Sequence, residues 1–324
     1  LGKVTNVNIQ LSLRGAINEG SAVDSPESKN NTQKPTAESQ TAPMSSTKVT
    51  DQDPNSQVVG LSYDLLDSIY QNSSAPHVHH GLWLSRHETR EQAKDNLSTW
   101  LAERLALKSG ENCVDIGSGY GQMARQLANA IGVRVTAITN SAIQHSRALQ
   151  VKNVTAVEYR LGDWCTNDLP TGEADAAWAV ESLEHMAHLD EATYQCRRVL
   201  KTGGRLIVLS WVAGEGPARW RRRVLLDGIV KDAALAPLRT QSQTIKSLSL
   251  AGFDNIETLD LSEKVCRTWL PTIKGVFGRS GLITDETLEP GLSWRTLRIA
   301  LAYKVGALRY CAITAVAAQQ DPSR

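Results

Sequence analysis

The sequence predicts an α/β fold: a seven-stranded, mostly parallel sheet with helices on both faces. Three observations carry this. A short apolar strand, Cys113–Ile116, runs into a glycine-rich turn, Gly117-Ser118-Gly119-Tyr120-Gly121. An amphipathic helix follows at once, Tyr120–Ile131, with Met123, Leu127 and Ile131 on one face. Apolar strands and helices then alternate as far as Ser210, the rhythm of a parallel sheet. The chain of 324 residues is 41% hydrophobic and 21% charged, which supplies the apolar material for one large domain. Its net charge of +1 gives no electrostatic basis for general nucleic-acid binding. It has no apolar run of about 18 residues, so no transmembrane helix is expected.

Taken in order, residues 1–57 differ from the rest. Ser21–Gln57 is rich in Ser, Thr, Asn, Gln, Pro and Lys, a composition that cannot offset the entropy of ordering. Residues 1–57 are therefore expected to be a disordered extension, and 58–324 the folded domain. The first eighteen residues hold no acid and carry Lys3 and Arg14, a trace of a targeting segment. An over-long gene start ahead of Met44 and a cytoplasmic location is the plainer expectation. The five cysteines are scattered without a C-x-x-C pair and read as free thiols.

Val58–Gln71 places Leu61, Leu65, Leu66 and Ile69 at helical spacing, with Tyr63 and Tyr70 among them. The loop Asn72–Glu88 contains His77, His79, His80 and Trp83. Clustered histidines suggest a metal, but no cysteine or carboxylate pair stands beside them, so no metal is assigned. The loop reads instead as a pocket wall with Trp83 packed beneath it. Glu88–Leu107 is an amphipathic helix through Ala93, Leu97, Trp100, Leu101 and Leu105. After the glycine turn come strand Val133–Ile138, helix Ser141–Gln150 with Ser141 as N-cap, and strand Val154–Arg160. Strand Ala174–Val180, helix Asp190–Leu200, a turn at Lys201–Gly204 and strand Arg205–Ser210 follow. Helical cap insertions are expected at about 213–250 and 264–304, around strand Ile256–Leu261 and before strand Ala307–Val316.

Glycines at alternate positions admit φ > 0 and let a ligand approach the backbone. At the first crossover of a Rossmann-like sheet, that means a nucleotide. A dinucleotide turn needs G-x-G-x-x-G, and Gln122 stands at its third glycine. The run Asp115-Ile116-Gly117-Ser118-Gly119-Tyr120-Gly121 resembles instead the S-adenosylmethionine (SAM) site of class I methyltransferases. Further motifs resemble the γ-tocopherol and sterol C-methyltransferase-like branch of that family, over roughly Leu61 to Val316. They are Tyr63-Asp64 with His79-His80-Gly81, Ala137–Ser141 with Gln144, Arg197–Gly204, Leu250–Phe253, and Tyr303–Gly306 with Tyr310. Thr202 departs from the commoner proline. Thr139 and Asn140 stand where many members carry an acid for the ribose.

The resemblance implies a N-terminal helical lid and a cap over a cofactor cleft, with SAM as cofactor. Gly117, Ser118, Gly119 and Gly121 would receive its methionine and ribose portions, with Asp115 supplying negative charge near the ammonium. Thr139, Asn140 and Gln144 would face the ribose. Asp163 would accept from the adenine amino group, and Trp164 would pack on the ring or else belong to the core. Tyr63, Tyr70 and Trp83 would offer aromatic faces near the sulfonium, and His80 would join them at the acceptor. His185 would be a base for a hydroxyl or amine, its imidazole ordinarily titrating near ~6.5, with Glu181 and Glu184 as the carboxylates in reach. Arg219 and Arg222, in the run Arg219–Arg223, would grip an anionic substrate or simply form a solvated face. The implied activity is methyl transfer to a lipophilic small molecule of specialised metabolism, at carbon, oxygen or nitrogen. A prenyl diphosphate acceptor is the alternative on substrate, and a non-catalytic SAM-fold binding protein the alternative in kind. Oligomeric state is left open.

Overall fold

The computed structural model describes residues 56–64, 79–152, 155–216, 219–233, 235–269 and 290–319. Seven strands form one sheet in the order β3-β2-β1-β4-β5-β7-β6. They are β1 (Asn112–Ile116), β2 (Arg134–Thr139), β3 (Val157–Leu161), β4 (Ala174–Val180), β5 (Leu200–Ala213), β6 (Phe253–Asp260) and β7 (Leu308–Ala317). The pairs from β3 through β5 are parallel, and β7 runs antiparallel to both β5 and β6. β1 has β2 on one side and β4 on the other, so the chain reverses its direction of winding there. A doubly wound sheet binds ligands at such a switch point, beyond the carboxyl ends of its strands.

Three strand boundaries differ from the sequence reading. β5 starts at Leu200, which pairs with Ala174, and Lys201–Gly204 bulges out of register before pairing resumes at Arg205, with Gly203 at φ 75°. β6 starts at Phe253, which is buried at the sheet's edge. β3 starts at Val157 rather than at the expected Val154, and a short 3-10 turn, Trp164–Thr166, follows it.

Helix α1 occupies 56–64, so it begins two residues inside the expected extension. Residues 1–55, and Tyr70 with the rest of the expected N-terminal helix, lie outside the described residues. α2 (Arg90–Arg104) opens on a capping box in which Thr89 and Gln92 satisfy each other's backbone N–H groups. α3 (Gln122–Ile131) follows the glycine turn, and α4 (Ala142–Gln150) is capped by Ser141, as its sequence predicts. α5 (Leu189–Val199) precedes β5. The chain after β5 forms α6 (Arg219–Asp232) and α7 (Gln241–Leu250), and that after β6 forms α8 (Ser262–Val265) and α9 (Pro290–Lys304).

The sheet has an apolar core on each face. One joins Leu97, Leu101, Met123, Leu127, Trp178 and Tyr310 under α2 and α3. The other joins Ile116, Trp164, Leu189, Cys196, Leu248 and Ile313 under α5 and α7. Each fully buried Leu or Ile here contributes roughly 1.5–3 kcal/mol. All five cysteines are free thiols. Among the described residues no helix is long and apolar enough to cross a membrane.

Candidate cofactor and acceptor site

The glycine turn leaves β1 at the switch point with Gly117, Gly119 and Gly121 all left-handed, at φ 74°, 56° and 70°. The three glycines answer to different neighbours. A methyl group on Gly117 would collide with Ser182 Cβ, and one on Gly121 with the ring of Tyr159. Ser182 is fixed in that place by donating from Oγ to the Ile116 carbonyl (2.6 Å). A methyl group on Gly119 would meet only the amide of Gln144, at 3.9 Å. The protein's own packing therefore requires the first and third glycines, while the second faces open ground.

Polar groups follow β1, β2 and β3 at their carboxyl ends. Ser118 N–H donates to the Ile138 carbonyl (2.7 Å), and its Oγ is buried with no partner among the described residues. Asp163 accepts through Oδ1 from Cys165 N–H (2.9 Å), while its buried Oδ2 has no partner among the described residues. A buried oxygen left unsatisfied costs about 1–3 kcal/mol, so such an atom beside a cleft marks a ligand contact. Thr139 Oγ donates to Gln144 Oε1 (2.9 Å), and both side chains are buried. Asp115 sits back in β1, and burial pushes its carboxyl up to about 7 against a weaker pull from the Trp178 indole.

Two expected contacts turn out to be spent elsewhere. Asn140 Nδ2 donates to the carbonyl (3.0 Å) and the Oγ (3.2 Å) of Ser56, so its amide holds α1 rather than standing open for a ribose. Trp164 lies in the core under α5 and donates its indole N–H to the Ala192 carbonyl (3.0 Å), the structural of its two readings.

α1 sits directly on the β2–α4 turn. A Cβ at Gly60 would lie 2.6 Å from the Asn140 carbonyl, so only glycine allows this approach. Asp64 Oδ1 accepts from Ser141 Oγ and from Ile143 N–H (3.2 Å). This seat brings Tyr63 over the turn after β4, where its hydroxyl shares a 2.9 Å hydrogen bond with His185 Nε2 and the rings meet edge to face at 5.5 Å.

Glu181 ends β4 in a left-handed conformation, φ 52°, which costs a non-glycine residue about 1–2 kcal/mol. Three hydrogen bonds hold it there. His80 N–H donates to Oε1 (2.8 Å), His80 Nδ1 bonds Oε2 (2.7 Å), and the Tyr310 hydroxyl donates to Oε1 (2.9 Å). Burial alone would raise its carboxyl, but the charge and hydrogen bonds of His80 outweigh this and hold it below the ordinary value. Both oxygens of Glu181, one of the two carboxylates expected in reach of the site, are thus engaged. Glu181 positions the His79–Trp83 strap.

Glu184 is likewise turned inward. It accepts from Ser210 Oγ (2.7 Å) and Trp211 N–H (3.2 Å) beside a cavity of about 20 Å3 lined by Met186, Ala236 and Arg239, room for one water. Burial, then the nearby Glu181 charge, pushes its carboxyl up to about 8. His185 is thus the titratable group of this trio that faces the lid.

The strap is tied to the second insertion. Trp83 donates its indole N–H to Thr268 Oγ (3.1 Å) and its backbone N–H to the Lys264 carbonyl (3.1 Å), which makes it a wall. The anion clamp read from Arg222 is also corrected. Its Nη1 donates to the Gly214 carbonyl (2.8 Å), and Arg223 pairs with Asp227 at an exposed 3.4 Å. Tyr70 and the side chain of Arg219 lie outside the described residues. Sequence reasoning passed over Tyr310, Ser182 and Thr268. Only Tyr310 stood in a noticed motif, and none carries a local signal of its long-range contact.

The family model described as "Methyltransferase domain" matches residues 114–208, from β1 through most of β5. The O-methyltransferase cnsE of Penicillium expansum is 30% identical over 270 residues, covering 79% of this chain and 91% of that protein. The chain belongs to the class I SAM-dependent methyltransferases. This methyltransferase is also similar to the probable chloroplastic tocopherol O-methyltransferase of Oryza sativa subsp. japonica, 27% identical over 282 residues, covering 79% of this chain and 76% of that one. Among solved structures it resembles the crystal structure of the [4+2]-cyclase SpnF, at 28% identity and TM-score 0.66, covering 82% of this chain and 97% of that chain. SAM is the cofactor of the methyltransferase. The unfilled ground at Gly119 and the unpartnered atoms of Ser118 and Asp163 fit a polar nucleoside.

Proposed function

We propose that this methyltransferase methylates a hydroxyl group on a lipophilic small molecule, with His185 as base and α1 as the lid. The observation that carries the reading is the Tyr63–His185 hydrogen bond, which joins lid and base at the carboxyl end of β4. In this reading Gly117, Gly119 and Gly121 let backbone meet the cofactor, and Ser118 Oγ and the Thr139–Gln144 pair take its ribose side. Asp163 Oδ2 accepts from the adenine amino group. Bound SAM supplies a methyl on an already activated sulfonium. The work left to the chain is alignment, worth on the order of 7–11 kcal/mol, and removal of the hydroxyl proton to the His185 imidazole. Tyr63 holds that ring, and Trp83 with the aromatic edges around His80 excludes water.

A prenyl diphosphate acceptor is less favoured, because Arg222 is committed to the Gly214 carbonyl. The likeness to a cyclase supports a second reading, a ring-closing enzyme that keeps the fold without passing a methyl on. One experiment separates them. The protein is titrated calorimetrically with S-adenosylhomocysteine, then incubated with methyl-labelled SAM and a panel of lipophilic phenols and alcohols. Binding plus label transfer that disappears in His185→Asn supports the reading. No binding by folded protein sinks the cofactor assignment. Binding with no transfer to any member of the panel favours the cyclase reading.

A further inference from the structure

The cap carries a surface that neither the cofactor nor the base accounts for. α6 and α9 lie side by side and antiparallel. Gly214 N–H, ahead of α6, bonds the Ala307 carbonyl just after α9 (2.8 Å), and the Arg298 guanidinium packs against Gly228 in the middle of both. Trp220 and Val224 stand one turn apart on α6, and Leu301 and Val305 one turn apart at the end of α9. All four are outward: Trp220 is 64% exposed, Val224 71%, Leu301 45% and Val305 44%. Two i, i+4 apolar pairs on adjacent helices make one ridge.

Cations flank the ridge. Of the basic side chains described on the two helices, Arg222 is committed to the Gly214 carbonyl, Arg298 packs on Gly228 and Arg223 pairs with Asp227. Arg223, Lys231 and Lys304 are exposed beside the apolar residues. An indole at the edge of an apolar ridge, flanked by cations, matches the boundary between lipid headgroups and acyl chains. The cap follows β5, whose carboxyl end holds Ser210 and Trp211 against Glu184 beside the candidate acceptor site.

We propose that the α6–α9 ridge docks this methyltransferase on an anionic phospholipid surface, from which a lipophilic acceptor enters under the cap. The acceptor class rests on the function proposed above; the docking rests on the ridge and its charge. A second copy of the chain is the competing occupant.

The test is co-sedimentation of the full chain with phosphatidylcholine vesicles, with and without about a third phosphatidylserine. Wild type is expected to partition onto the anionic vesicles, with roughly fivefold loss for each cation screened by added salt. Trp220→Ser with Val224→Ser is expected to lower partitioning about tenfold or more. S-adenosylhomocysteine affinity, read by calorimetry on the same preparations, stays at the wild-type value and certifies the fold. Equal binding to pure phosphatidylcholine, or wild-type partitioning by the double variant, overturns the proposal. So does a double variant that turns a dimer into a monomer in sedimentation velocity while vesicle binding persists. Failure of wild type to bind S-adenosylhomocysteine would strike the methyltransferase reading and leave the vesicle result standing.

Discussion

Gly119→Ala separates a turn that merely folds from one that receives a cofactor. The left-handed backbone at φ 56° costs an alanine about 1–2 kcal/mol, and nothing more is added by contact, because the new methyl meets only the Gln144 amide at 3.9 Å. For a domain of this size that corresponds to a fall in Tm of roughly 2–8 °C. In the proposed placement of the cofactor the same methyl enters its ground, so cofactor affinity should drop at least tenfold, about 1.4 kcal/mol. Differential scanning fluorimetry reads the first quantity and calorimetric titration with S-adenosylhomocysteine the second. Gly117→Ala is the contrast, since its methyl strikes Ser182 Cβ and should unsettle the fold itself. The expected Tm shift of Gly119→Ala with unchanged S-adenosylhomocysteine affinity would refute the placement of the cofactor on this turn.

Other expectations follow from the same geometry. Tyr63→Phe should slow methyl transfer with little change in S-adenosylhomocysteine affinity, and His185→Asn should cost about 10²–10⁴-fold in kcat, both read by transfer of label from SAM. His80→Ala leaves the Glu181 carboxylate buried without its principal partner and should cost about 3–5 kcal/mol in urea unfolding. Because His80 holds the Glu181 carboxyl below its ordinary 4.5, their contribution in wild type is present above that pH and is lost as pH falls further. Glu184 behaves oppositely. Its folded value of about 8 lies above the ordinary 4.5, so its contribution is present at low pH and declines as pH rises through that window, by about 1.4 kcal/mol per pH unit. Glu184→Gln should flatten the stability profile there, measured as urea midpoints at several pH values.

The sheet was legible in the sequence because β1, β2 and β4 are short runs rich in apolar residues, each followed by glycine, a cap residue or a polar turn. Ser141 as an N-cap and the strand–turn–helix around Gly117 are local signals, and they hold. The antiparallel edge was legible only as a late pair of apolar runs; where β7 inserts is decided by pairing partners, not by its own residues. Site residues divide the same way. Gly119 and Asp163 are found by offset from a strand end. Glu181, Glu184 and His185 are equally plausible catalytic groups when read in a row. They separate only when partners 101 and 26 residues away, His80 and Ser210, claim the two carboxylates. Arg222 misled for a related reason, since a basic run says nothing about which guanidinium will be drawn onto a backbone carbonyl.

The order of the sheet has a consequence for synthesis. Among the described strands β7 comes last in sequence, yet it lies between β5 and β6. Until residues 308–317 arrive, β6 has no neighbour in the sheet and β5 lacks one side. The same strand brings Tyr310 to the strained Glu181, and so helps fix the strap that borders the acceptor site. The glycine turn and strands β1 to β4 are thus complete in the growing chain before that wall is made. A stop codon before Leu308 would therefore leave a protein with the cofactor half of the site assembled, an exposed strand edge prone to pairing with its neighbours, and no enclosed place for an acceptor.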